Sequence, residues 1–104
     1  MVNGHYILDG YTVRRVKSLH EWGKWMEEGG NRIVAKTVVG SSTISTVFLG
    51  LDHGYGRIPL FFETMVFGGL NDGYQIRYTT HPEAVGGHEQ VVQAVKAGKK
   101  LEED

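Results

Sequence analysis

The sequence predicts a single α+β domain: an antiparallel sheet, made of a four-stranded meander and an N-terminal hairpin, combined with two helices in the order ββαββββα. Three observations carry this. Between residues 32 and 80, apolar, aromatic and β-branched residues recur with a period of two in short runs, the spacing of half-buried strands. The connections between those runs suit hairpins and are too short for the crossovers that parallel strands require. Two segments, one after Ser18 and one after Thr80, switch to helical spacing behind capping signatures.

Tyr6 to Leu8 and Tyr11 to Val16 flank Asp9-Gly10, a dipeptide that tolerates the positive φ of a tight turn, and so form an opening hairpin. Ser18 with Glu21 three residues on fits a capping box. Leu19, Trp22 and Met26 share a face of the helix that follows, Trp25 lies at its edge, and Gly29-Gly30 ends it. Gly23 inside this helix costs about 1 kcal/mol relative to alanine, so the helix depends on packing its tryptophans. The runs Arg32 to Val39, Thr43 to Leu51, Leu60 to Phe67 and Tyr74 to Thr80 read as the meander, separated by Gly40-Ser41-Ser42, Asp52 to Pro59 and Gly68 to Gly73. Thr80, Pro82 and Glu83 open the last helix. Ala84, His88, Val91, Val92 and Val95 then make one stripe that should lie across the sheet, with both helices on the same face. Residues 1–98 form the domain, and residues 99–104 read as a frayed, charged tail.

A chain of 104 residues supports one core, burying roughly 65% of the surface its unfolded form exposes. The 15 glycines are scattered among β-branched and aromatic runs, so they mark turns and close approaches and not disorder. Eleven Lys+Arg against twelve Asp+Glu leave a net charge of -1, with no global field to attract nucleic acid or an anionic membrane. The clusters Arg14, Arg15, Lys17, Lys24 and Lys96, Lys99, Lys100 are sparser than a nucleic-acid footprint and read as solvated surface. The absence of cysteine excludes disulfides and thiolate metal sites. No signal peptide or membrane span is expected, which gives the cytoplasm as the compartment. A small domain with a two-sided sheet gains burial by pairing, so a homodimer is an expectation from size.

Candidate functional residues concentrate on the meander. The loop between its second and third strands gathers Asp52, His53, Tyr55 and Arg57 at one end of the sheet. They form either a rim that binds a polar ligand, with Asp52 and His53 as an acid and base pair, or a turn that Asp52 caps while His53 is merely exposed. Glu63 lies among Phe61, Phe62, Met65 and Phe67, where a lone carboxylate is expensive to desolvate. A hairpin centred near Leu70 sets Arg77 opposite Glu63 as a cross-strand ion pair. Glu63, Arg77 and Thr79 or Thr46 then either line a polar pocket on the open sheet face or form a structural pair on the solvated side. His88 in the apolar stripe reads as a hydrogen-bonded core histidine. Neither His20-Glu21-Trp22-Gly23-Lys24 nor His88-Glu89-Gln90-Val91-Val92 has the second histidine of a zinc helix. No phosphate-binding loop, dinucleotide fingerprint or glycine-flanked nucleophilic serine occurs, so no metal and no cofactor are expected.

Ser45 to His53 (STVFLGLDH), Leu60 to Gly69 (LFFETMVFGG), the stretch Arg77-Tyr78-Thr79-Thr80, the helix start Glu83-Ala84 with Gly87-His88, and the opening Tyr6 to Gly10 resemble a family of small bacteriophage and prophage proteins. The resemblance covers most of the chain and departs in the loop Gly54 to Pro59, which is shorter than the family's glycine- and proline-rich version. It implies a phage origin and carries no particular chemistry with it. Three functions follow as expectations. One is a phage accessory protein that acts by binding, in counter-defence, by sequestering a nucleotide-like small polar ligand on Thr46, Asp52, His53, Tyr55, Glu63, Arg77 and Thr79. Another is an inhibitor that binds a host defence protein or nuclease complex. The last is a small enzyme using Asp52, His53 or Glu63 as acid and base.

Overall fold

A computed structural model of the chain describes residues 4–28, 32–54, 56 and 58–102. The elements are β1 (His5–Asp9), β2 (Thr12–Val16), α1 (Leu19–Glu28), β3 (Ile33–Val39), β4 (Ser42–Phe48), β5 (Phe62–Phe67), β6 (Gln75–Tyr78) and α2 (His81–Lys96). β3 to β6 form one antiparallel sheet in chain order, and β1 and β2 form a separate two-stranded sheet. This is the α+β order ββαββββα that the sequence predicts. The glycines proposed to end α1, Gly29 and Gly30, lie outside the described residues.

The registers explain which side chains are covered. Ser45 stands opposite Met65, Thr46 opposite Thr64 and Val47 opposite Glu63. Along β4 the even-numbered residues Ser42, Ile44, Thr46 and Phe48 are buried and the odd-numbered ones are not; along β5 the buried set is Phe62, Thr64 and Val66. Helix α2 packs on that face against all four strands, and the Trp25 ring of α1 meets Phe48 edge-on from the same side. The opposite face carries Ile33, Lys36 and Val38 on β3, Val47 on β4, Glu63, Met65 and Phe67 on β5, and Arg77 on β6. None of these is buried.

Two apolar clusters fill the covered side. Phe48, Phe61, Phe62, Ala84 and Leu8 form one, joined by Tyr6, Val13, Trp25 and Tyr78; Ile44, Val66, Val91 and Val92 form the other, joined by Val39, Val95 and Leu101. Thr46 and Thr64 lie between them, each in phase with an apolar residue on either side along its strand. Helix α2 matches this layering, presenting Ala84 to the first cluster, His88 to the threonines, and Val91 and Val92 to the second. Its capping box is formed: Thr80 Oγ1 accepts from Glu83 N at 3.2 Å and the Glu83 carboxylate accepts from Thr80 N at 3.0 Å.

Helix α1 departs from the predicted stripe. Leu19 is exposed, and the helix docks through Trp22, Trp25 and Met26, none of them fully buried. The anchor is Gly50, whose carbonyl accepts from Trp22 Nε1 at 3.1 Å and from Tyr6 N at 2.9 Å. Gly50 has φ of 80°, and a Cβ there would sit 2.8 Å from Met26 Sδ. The expected fraying after Gly98 also fails for the first residues of the tail. Buried Asn71 donates to Lys99 O at 2.8 Å and accepts from Leu101 N at 2.7 Å, which fastens the tail to the β5–β6 turn.

Candidate functional site

Of the seven residues singled out from the sequence, the six that are described occupy three separate places. On the open face of the sheet, Glu63 and Arg77 stand opposite each other in register, and Arg77 Nε donates to Glu63 Oε2 at 2.9 Å. The Glu63 side chain is only 12% exposed and that of Arg77 32%, so the guanidinium supplies the counter-charge that a carboxylate needs among Met65, Phe67 and Val47.

Thr46 does not belong to that surface. Its side chain points to the covered face, where its hydroxyl bonds Thr64 Oγ1 and lies 2.7 Å from His88 Nδ1. The period of two places it there, in phase with Ile44 and Phe48, so a pocket shared by Thr46, Glu63 and Arg77 is not formed. The chain of polar contacts extends both ways: Tyr78 OH donates to Thr64 Oγ1 at 3.0 Å, and His88 Nε2 lies 2.9 Å from Thr37 Oγ1. Tyr78, Thr64, Thr46, His88 and Thr37 thus form one continuous band through the core. Burial pushes the Tyr78 phenol up, against the opposing hydrogen bond to Thr64 and with a smaller push from Tyr74. Burial also holds His88 below the usual histidine range, outweighing the Glu89 carboxylate.

At the end of the sheet, Asp52 Oδ1 accepts from Gly54 N at 2.7 Å and from Leu60 N at 2.9 Å, closing the loop on itself. A Cβ on Gly54 would collide with the Ile58 carbonyl, so the loop closes tightly only with glycine there. Thr79 Oγ1 donates to Pro59 O at 2.7 Å and ties the same loop to the end of β6. The Asp52 carboxylate acts here as a turn cap, and His53 is exposed. Tyr55 and Arg57 lie outside the described residues. Among the described residues, no group of three or more His, Asp or Glu side chains is placed to hold a metal ion. No described helix is long and apolar enough to cross a membrane.

Three features escape the sequence reading. Gly87 leaves the space in which the Tyr78 ring meets α2, Asn71 fastens the tail, and the band itself joins helix to sheet. Only the band has a sequence signal, since Thr46 and Thr64 sit at the centres of two apolar alternations. Comparison of the chain with family models, curated proteins and solved structures finds no match.

The open face is the surface with the chemistry of a binding site. Ile33, Val38 and Phe67 are 58%, 67% and 51% exposed on it, around an internally neutralised Glu63–Arg77 pair. Lys36, on the same face, has no ion-pair partner among the described residues.

Proposed function

We propose that this chain is a phage accessory protein that acts by binding another protein through the open face of the β3–β6 sheet. The observation that carries the reading is the one-sided burial of β4 and β5: α2 and the Trp25 side of α1 lie on one face, while the other presents exposed apolar side chains around a satisfied ion pair. Such a surface gains by excluding water against a partner of matching shape. Lys36 sets the chemistry of that partner, an apolar patch that brings a carboxylate to the β3 side. The resemblance of Ser45 to His53 and Leu60 to Gly69 to phage proteins supports a bacterial host protein, within a defence or nuclease complex, as its source.

The small-ligand reading has weaker support. Its described residues are divided between the open face, the core and a self-closed loop, and the described depressions on the surface, about 520 Å³ beside Gly23 of α1 and about 260 Å³ beside Asn71 and Lys100, are lined by other residues. Acid and base catalysis by Asp52 or Glu63 has less support, because one oxygen of each carboxylate, Asp52 Oδ1 and Glu63 Oε2, already serves as a structural acceptor.

The test is affinity capture from host lysate, identification of the retained protein and reconstitution from purified components. Phe67→Ala and Lys36→Glu are expected to weaken the reconstituted complex at least tenfold, while Val85→Ala on the exposed side of α2 leaves it unchanged. Equal affinity for all of these would remove the open face as the binding surface. Native mass spectrometry showing a retained nucleotide would favour the small-ligand reading instead, and sedimentation showing a dimer abolished by Phe67→Ala would give the face to a second copy of the chain.

A further inference from the structure

Among the described residues, His88 is the one ionisable group that joins helix to sheet through both of its ring nitrogens. One protonation state lets every hydroxyl of the band donate within it. Tyr78 OH donates to Thr64 Oγ1, so the Thr64 hydroxyl hydrogen is left to point at Thr46, and the Thr46 hydroxyl then donates to His88 Nδ1. That nitrogen must offer a lone pair. The ring is therefore neutral, with its proton on Nε2 and donated to Thr37 Oγ1. From Tyr78 to His88 each interior member of the band gives one hydrogen bond and receives one.

A second proton on the ring would sit on Nδ1 and face Thr46 Oγ1. Thr46 would have to turn its own hydrogen towards Thr64, which already accepts from Tyr78, and the Thr64 hydrogen would lose its acceptor within the band. Protonation thus creates both a buried charge and a buried donor without a partner. The sheet offers that charge nothing in return. On β3, β5 and β6 the charged side chains Lys36, Glu63 and Arg77 lie on the opposite face; β4 turns Thr46 towards the ring and β6 turns the neutral phenol of Tyr78. Only Glu89, the next residue on α2 and itself exposed, favours the charged form.

We infer that the seat of α2 on the sheet is acid-labile, and that protonation of His88 breaks the polar band and loosens α2 from β3 and β4. The sign follows from linkage. With the folded-state value of His88 below that of the unfolded chain, the unfolded state takes up its proton first as the pH falls. Stability is then complete above the ordinary histidine value of about 6.5 and is lost as pH falls below it, until the folded protein also protonates. One proton limits the effect to at most about a tenfold rise in the unfolding constant per pH unit.

The experiment uses the full chain at pH 7.5, 6.5 and 5.5, above the range where carboxylates titrate. Urea midpoints are expected to fall across this series. Amide exchange at Val91 and Val92, corrected for its intrinsic pH dependence, is expected to accelerate relative to Met65 on β5. His88→Gln should be less stable at pH 7.5 and lose the dependence on pH. A histidine ring titration by NMR gives a readout that does not need the variant to fold: His88 should titrate below the ordinary histidine value of about 6.5. A flat stability profile in the wild type, an undiminished profile in His88→Gln, or a His88 ring that titrates at or above the ordinary histidine value of about 6.5 would each overturn the inference.

Discussion

Side by side in α2, Gly86 and Gly87 answer to different demands. A Cβ on Gly87 would overlap the Tyr78 ring, whereas one on Gly86 would meet nothing within 4 Å. Alanine at 86 gains helix propensity without a clash and should stabilise the protein by about 1 kcal/mol. Alanine at 87 should destabilise it by about 1–3 kcal/mol, because the ring must leave its place and with it the hydrogen bond to Thr64. Paired urea melts of the two variants check the contrast. The Glu63–Arg77 contact makes a second residue-level prediction. Arg77→Met alone leaves a carboxylate that is mostly buried without its partner, so it should cost more stability than the double variant Glu63→Gln, Arg77→Met. A double-mutant cycle should show a coupling of about 1 kcal/mol, between the values for exposed and for buried pairs.

Among the elements, legibility follows how local the determining contact is. The capping box at Thr80 and the hairpin register that sets Arg77 opposite Glu63 depend on residues close in sequence, and both can be read from it. The face of Thr46 is harder because both faces of β4 and β5 carry apolar residues. Val47, Met65 and Phe67 alternate as convincingly as Ile44, Phe48 and Val66, and period two alone does not say which set is covered. Helix α1 is read with Leu19 in its stripe because its docking depends on the Gly50 carbonyl, 28 positions beyond Trp22. Asn71 gives no local signal at all, since its partners are the backbone atoms of Lys99 and Leu101. Its loss has a measurable consequence: Asn71→Ala should lower stability by about 1–3 kcal/mol and speed exchange of the Leu101 amide, while leaving the α2 amides near its start unchanged.

At the scale of the molecule, the meander and α2 make one contiguous unit, while β1, β2 and α1 attach to it by a smaller set of contacts. These include the isolated bridge between His5 and Leu51, the two hydrogen bonds to the Gly50 carbonyl, the stacking of Tyr11 on His81, and the packing of Leu8, Tyr6, Val13 and Trp25 on the first cluster. The N-terminal part should therefore open at lower denaturant than the rest. Gly50→Ala, which strains a positive φ and presses on Met26, should widen that gap: tryptophan fluorescence, which reports Trp22 and Trp25, should change before the helical circular dichroism dominated by α2.

The Gly50 carbonyl also has a consequence for how the chain is made. During synthesis the strands β3 to β6 each meet their partner as soon as it leaves the ribosome, because neighbours in the sheet are neighbours in the chain. Tyr6 and Trp22 emerge before the carbonyl that receives them, and the Phe61 ring on which Tyr6 packs arrives later still. Tyr6, Trp22 and Trp25 thus leave the ribosome before the residues that seat them. For that interval, the growing polypeptide displays its aromatic residues to whatever binds it outside the exit tunnel.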